Sequence, residues 1–118
     1  MESADRPEPR AGPASAERAV RELRAAGQLG RAAGLVGQLG SYGVADGPDG
    51  TTSLGAAVLE ALGDQVATTD LAAARAAYHA AAADQRSFAA GATSGAEGLA
   101  RMAEADRIDT KASAGPTA

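Results

Sequence analysis

Apolar residues recur at helical spacing along much of the chain. The best stripe lies in the proline-free stretch from Leu54 to about Ala90, where Leu54, Val58, Leu62 and Val66 repeat every four residues with Leu59 alongside. Thr52 or Ser53 can cap this helix at its start. Thr68, Thr69 and Asp70 interrupt the stripe with side chains that compete for backbone hydrogen bonds, which predicts a kink or a fresh start. Beyond them Leu71 and Tyr78 lie on a different side among alanines, so the apolar surface rotates around this second arm.

A first arm is predicted from about Ala16 to Leu39, with Ser15 as N-cap and Glu17 in the turn that the helix dipole makes favourable for an acid. Val20, Leu23, Gly27, Gly30, Gly34 and Gly37 fall on one side of it, opposite Ala25, Leu29, Ala32, Val36 and Leu39. Each interior glycine costs about 0.8–1 kcal/mol relative to alanine. One explanation is that Gly27, Gly30, Gly34 and Gly37 let a partner helix approach closely. The other is that an Ala/Gly-rich composition scatters glycines there and the helix frays.

Residues 40–53, GSYGVADGPDGTTS, form the clearest turn, long enough for two helices to fold back on each other. After a stop at Gly91, the run Ser94-Gly-Ala-Glu97 matches a capping box. It opens a last helix from about Gly95 to Lys111 that is expected to bury Leu99, Met102 and Ala103, with Ile108 off that face. The fold class is therefore all-α: an antiparallel helical hairpin over residues 15–112 with a long, kinked second arm. Residues 1–14 and 113–118 read as solvated tails rich in proline and small residues.

Composition makes the predicted core thin. Of 118 residues 33 are alanine, while Leu, Ile, Val and Phe together number 16, and alanine favours helix but buries little area. Stability borrowed from a partner chain is the corollary. The net charge of −4 argues against nucleic acid as a partner. Residues 1–40 hold six basic and five acidic side chains and the remainder five and ten, so the negative charge lies in the second half. No apolar run is long enough to span a membrane, and the charged, proline-broken start lacks the apolar stretch of a cleaved secretory signal.

No catalytic constellation is visible. His79, the single histidine, has no positioned partner in the sequence pattern and reads as a surface or half-buried structural residue. Asp46 and Asp49 lack the alternating oxygen ligands of a calcium loop. Gly34, Gly37 and Gly40 lack the spacing of a phosphate cradle. Glu97, Glu104, Asp106 and Asp109 alternate with Arg101, Arg107 and Lys111 as on a salt-bridged helix face. The expectation is a protein that is not an enzyme and takes no cofactor or metal.

The run Gly98-Leu-Ala-Arg-Met-Ala-Glu-Ala-Asp106, with the two arms and their glycine-rich turn, resembles the small ESX-associated proteins of actinobacteria, relatives of the WXG-type substrates of type VII secretion. The segment is similar to the one in which that family carries its Y-x-x-x-D/E export signal. Met102 stands at the tyrosine position, with Asp106 in register. A literal match, Tyr42-Gly-Val-Ala-Asp46, lies in the turn, and there is no tryptophan for a W-x-G turn. The resemblance implies a helical hairpin that pairs with a related small helical protein as a hetero- or homodimer, meets a secretion ATPase, and reaches the cell surface or medium without a signal peptide. The alternative is a cytoplasmic helical adaptor that stays in the cell.

Overall fold

The computed structural model describes residues 13–39 and 43–114, and within them the chain is all-helical. Five helices follow in order among these residues: α1 (Pro13–Ala25), α2 (Leu29–Val36), α3 (Leu54–Val66), α4 (Leu71–Ala90) and α5 (Gly95–Ala114). Most of both expected tails, residues 1–12 and 115–118, lies outside the described residues. α1 begins ahead of the expected Ser15 cap, at Pro13, where a proline is accepted in a first helical turn. α5 continues past Lys111 to Ala114.

The expected first arm is two helices. Gly27 adopts φ +78°, a left-handed conformation that glycine takes without penalty. Around it the Gln28 amide donates to the Leu23 carbonyl (2.8 Å) and the Gly27 amide to that of Arg24 (3.0 Å). This pair of bonds is the Schellman arrangement that terminates a helix. The glycine stripe is thereby cut: Val20 is buried and Leu23 half-buried in α1, whereas Gly30, Gly34 and Gly37 are exposed after the break. α2 instead buries Ala32 and Val36, followed by Leu39, the side that sequence pattern set opposite the glycines.

The second arm is likewise not one rod with a kink. Asp70 caps a new helix by accepting from the Ala73 amide (3.0 Å), and α4 runs back along α3. Ser53, at the start of α3, meets Gln85 near the end of α4, while Asp64, near the end of α3, meets Tyr78 near the start of α4. α5 then turns back along α4. A short cap sets its start: Ser94 Oγ accepts from the Glu97 amide (3.1 Å), and Glu97 reaches back to the Thr93 amide and hydroxyl rather than to Ser94.

Two apolar groups share α3. Leu54 and Val58 join Ala16, Val20, Ala32, Val36 and Leu39 beneath α1 and α2. On the other side Tyr78 and Ile108 pack with Ala56 and the alanines of α4 and α5, and Val66 borders this second group. The expected stripe Leu54, Val58, Leu62, Val66 is therefore divided between two cores, with Leu62 half-buried.

The segment between α2 and α3 is held as well as turned. Ala45 and Ser53 form an isolated antiparallel bridge, with Asp46 N–H donating to Thr52 O (2.7 Å) and Leu54 N–H to Val44 O (2.9 Å). Arg21 donates to the carbonyls of Ala45 and Asp46, and Arg24 pairs with the Asp46 carboxylate, which ties α1 to this segment. From the far side Arg101 of α5 donates to Gly50 O (3.0 Å) and Phe88 O (2.9 Å), pairs with Glu97 (2.8 Å) and stacks over the Phe88 ring at 3.7 Å.

Candidate interaction surface

Arg101 decides which face α5 presents. With its guanidinium fixed against Gly50 and Phe88, the residues that share its side of the helix, Ala105, Ile108 and Ala112, turn inward and are buried. The expectation for this helix is overturned: Leu99 is 75% and Met102 38% exposed, Ala103 is exposed, and Ile108 is fully buried. Local hydrophobicity pointed to Leu99 and Met102, but the cationic anchor and the small alanines that admit α4 set the rotation.

Beside the turned-out residues, the corner between α4 and α5 leaves a shallow groove of about 450 Å³. Ala89, Ala90, Gly95 and Gly98 line it with Leu99 and Met102, and Arg86 stands at its edge. Small residues bring the corner close: a Cβ placed on Gly98 would lie 3.7 Å from that of Ala92. Leu99, Met102 and Asp106 succeed one another at spacings of three and four residues, so the three share one exposed strip. Its carboxylate lies 3.5 Å from the Arg86 guanidinium, which also pairs with Asp109 (3.0 Å). The signal-like segment, Met102 and Asp106, is thus at the surface, with its acid engaged by α4.

This surface offers apolar contact bordered by an ion pair. His79 Nδ1 lies 3.6 Å from Asp109, exposed and away from the groove. Among the described residues no group of three or more histidines, aspartates and glutamates stands together as metal ligands do. Arg107 and Lys111 of α5 are employed between helices. Arg107 pairs with Glu60 and Glu104 (2.8 Å each), and Lys111 with Glu60 and Asp64 (2.8 Å each). The Arg107 hydrogen bond, against the opposing effect of burial, holds both the Glu60 and the Glu104 carboxyls below the ordinary glutamate range. Gly30 and Gly34 of α2 and Gly37 at its end have no atom of another described element within 4 Å of where a Cβ would be, so none of them admits a helix of the described residues.

Sequence reasoning missed the polar side chains that join α4 to α3. Gln85 is fully buried; its amide oxygen accepts from the Ser53 amide (2.9 Å) and its nitrogen donates to Thr51 O (2.6 Å) and Arg101 O (3.1 Å). The signal was present: Gln85 lies seven residues from Tyr78 with Ala81 and Ala82 between, on one helical face. The chain matches no protein-family model, no curated protein and no solved structure. Among the described residues no helix is long and apolar enough to cross a membrane.

Proposed function

We propose that the protein works without catalysis, by seating a helix of a partner chain against the α4–α5 groove, and that it is a substrate or associate of type VII secretion. The observation that carries the docking half is the exposure of Leu99 and Met102 beside an apolar groove in a chain with few bulky residues. Exposed large apolar side chains gathered along a groove are characteristic of surfaces that associate. The secretion half is supported by the resemblance of residues 98–106 to the export segment of the ESX-associated proteins, with Met102 and Asp106 side by side on the exposed strip. The partner in this reading is a related small helical protein, and the secretion ATPase is a later contact of the same strip.

The test is an export assay with the full chain in an actinobacterial host, with and without its type VII apparatus. The wild-type chain is expected in the medium only when the apparatus is present, and L99D/M102D is expected to remain in the cell. Both residues are exposed, so the variant is expected to retain the wild-type circular dichroism spectrum. Retention of the wild-type chain in both hosts overturns the export reading and leaves the cytoplasmic adaptor. Equal export of the variant overturns the role of the groove.

A further inference from the structure

Asp84 differs from the other carboxylates at the helix contacts. Glu60, Asp64, Glu97, Glu104, Asp106 and Asp109 each face an arginine or lysine. Asp84 is half-buried at the start of α3 and, among the described residues, belongs to no ion pair; its side-chain partner is the Ser53 hydroxyl, which donates to Oδ1 at 2.6 Å. The same Ser53 oxygen accepts from the Ala56 amide (2.9 Å) and so caps α3. Gly55 lies directly against the carboxyl group, where an added Cβ would stand 2.6 Å from Oδ2. The void beside it, walled by Leu39, Val44 and Phe88, measures about 10 Å³. That is room for about one water and not for a hydrated counter-ion.

The charged groups on the surrounding elements are engaged elsewhere. Arg21 and Arg24 of α1 hold the backbone and carboxylate at 45–46, Arg101 of α5 holds Gly50, Phe88 and Glu97, and Glu60 and Glu104 hold Arg107, with Glu104 also accepting from the Thr52 hydroxyl (3.2 Å). We propose that Asp84 is a pH-sensitive latch: uncharged, it fastens the 43–53 segment and the first turn of α3 to α4, and its ionisation loosens that attachment while the rest of the bundle stays closed. The chemistry is that of an acid whose charged form lacks a cation and lies largely out of water.

Burial outweighs the Ser53 hydroxyl and the Ala56 amide, and pushes the Asp84 carboxyl above its ordinary range. When the segment opens, the carboxyl regains an ordinary value of about 4. A group whose pKa is higher when closed than when open stabilises the closed form fully at pH below the open value. That contribution is lost as pH rises through the closed value. The latch therefore tightens in acid, against the usual direction for a carboxylate.

The experiment is NMR on the full chain: titration of the Asp84 carboxyl, with amide exchange followed over the same pH range and corrected for intrinsic chemistry. Protection of the Leu54 and Ala56 amides is expected to fall with rising pH by the ratio of the closed and open ionisation constants, while the Ile108 amide does not follow. D84N keeps an oxygen for the Ser53 hydroxyl and is expected to remove the pH dependence. An Asp84 titration at or below the ordinary carboxylate range overturns the proposal, as does the same slope in D84N or an equal fall at Ile108. Should D84N fail to fold, the wild-type titration and the Leu54–Ile108 difference decide the matter alone.

Discussion

The two ends of α3 solve the same packing problem with different chemistry. At each end a glycine, Gly55 or Gly63, lets a side chain of α4 come against the helix: an added Cβ would meet the Asp84 carboxylate at 2.6 Å in one case and the Tyr78 ring at 2.6 Å in the other. At the far end the Tyr78 hydroxyl donates to Asp64 (2.6 Å), and Lys111, over the ring at 5.1 Å, pairs with Asp64 and Glu60, which Arg107 also holds. At the near end Leu54 and Val58 pack beneath α1 and α2, and Asp84, Gln85 and Ser53 join α3 to α4 by hydrogen bonds with no ion pair among them. Bulk and ion pairs fasten α3 to both α4 and α5 in the first case; in the second the attachment to α4 is made by directional bonds. The far end is thus expected to govern whether the bundle folds, and the near end whether residues 43–53 stay attached.

Removing the bulk is the harshest test of that division. Tyr78→Ala leaves a hole among Ala56, Ala81, Ala82 and Ile108, and truncations of large buried side chains cost about 3–5 kcal/mol. A domain with so few bulky residues is expected to lose most of its cooperative urea transition. Gln85→Leu strands the Ser53 amide and the Thr51 carbonyl and takes a second donor from the Arg101 carbonyl, which keeps its helix bond, at about 1–3 kcal/mol for each stranded group that stays buried. Its effect is expected first as faster exchange at Leu54 and Asp46, whose amides close the Ala45–Ser53 bridge. If both variants shift the urea midpoint alike and leave those amides equally protected, the two ends are one cooperative unit and the contrast fails.

Sequence carried the local half of this picture. Ser53, Asp70 and Ser94 were legible as caps or interruptions because a cap is decided within four residues, and each accepts from the amide three positions on. The all-helical class followed from the same short-range signals. The rotation of α5 was not legible, since Leu99 and Met102 are turned outward by Arg101, whose anchor at Gly50 lies 51 residues away. Nor was the break at Gly27: four glycines at helical spacing look alike until one takes a positive φ. For the surface, sequence located Met102 and Asp106, but the groove beside them needs the α4 wall that Ala89 and Ala90 supply.

Filling the two glycines separates the ends more finely. Gly63→Ala drives a methyl into a buried ring that the Asp64 hydrogen bond and Ile108 hold in place. Overpacking of this kind costs about 1–3 kcal/mol, against a gain of about 0.8–1 kcal/mol in helix propensity. Gly55→Ala meets the end of an acidic side chain, which can swing away at the expense of its bond to Ser53. The expected outcome is a clear loss of thermal stability for Gly63→Ala and a smaller change for Gly55→Ala. Equal losses would mean that Asp84 is held as rigidly as Tyr78.

The smallest effect is the most specific, because it tests a sign. Glu60 has its pKa depressed by the Arg107 hydrogen bond, with Lys111 adding to it against burial. A depressed carboxyl contributes stability that is present above the unfolded value of about 4.3 and is lost as pH falls through the folded one. Asp84 runs the other way. Glu60→Gln is expected to cost about 1 kcal/mol or less at neutral pH, because Arg107 keeps Glu104 and Lys111 keeps Asp64. What distinguishes it is the slope: the variant should lose less stability than the parent on acidification, whereas D84N should gain relative to the parent as pH rises. Urea midpoints measured at several pH values from neutral down into the carboxylate range read both slopes. Two slopes of the same sign would show that the hydrogen-bonded end of α3 behaves as one more ion-paired contact.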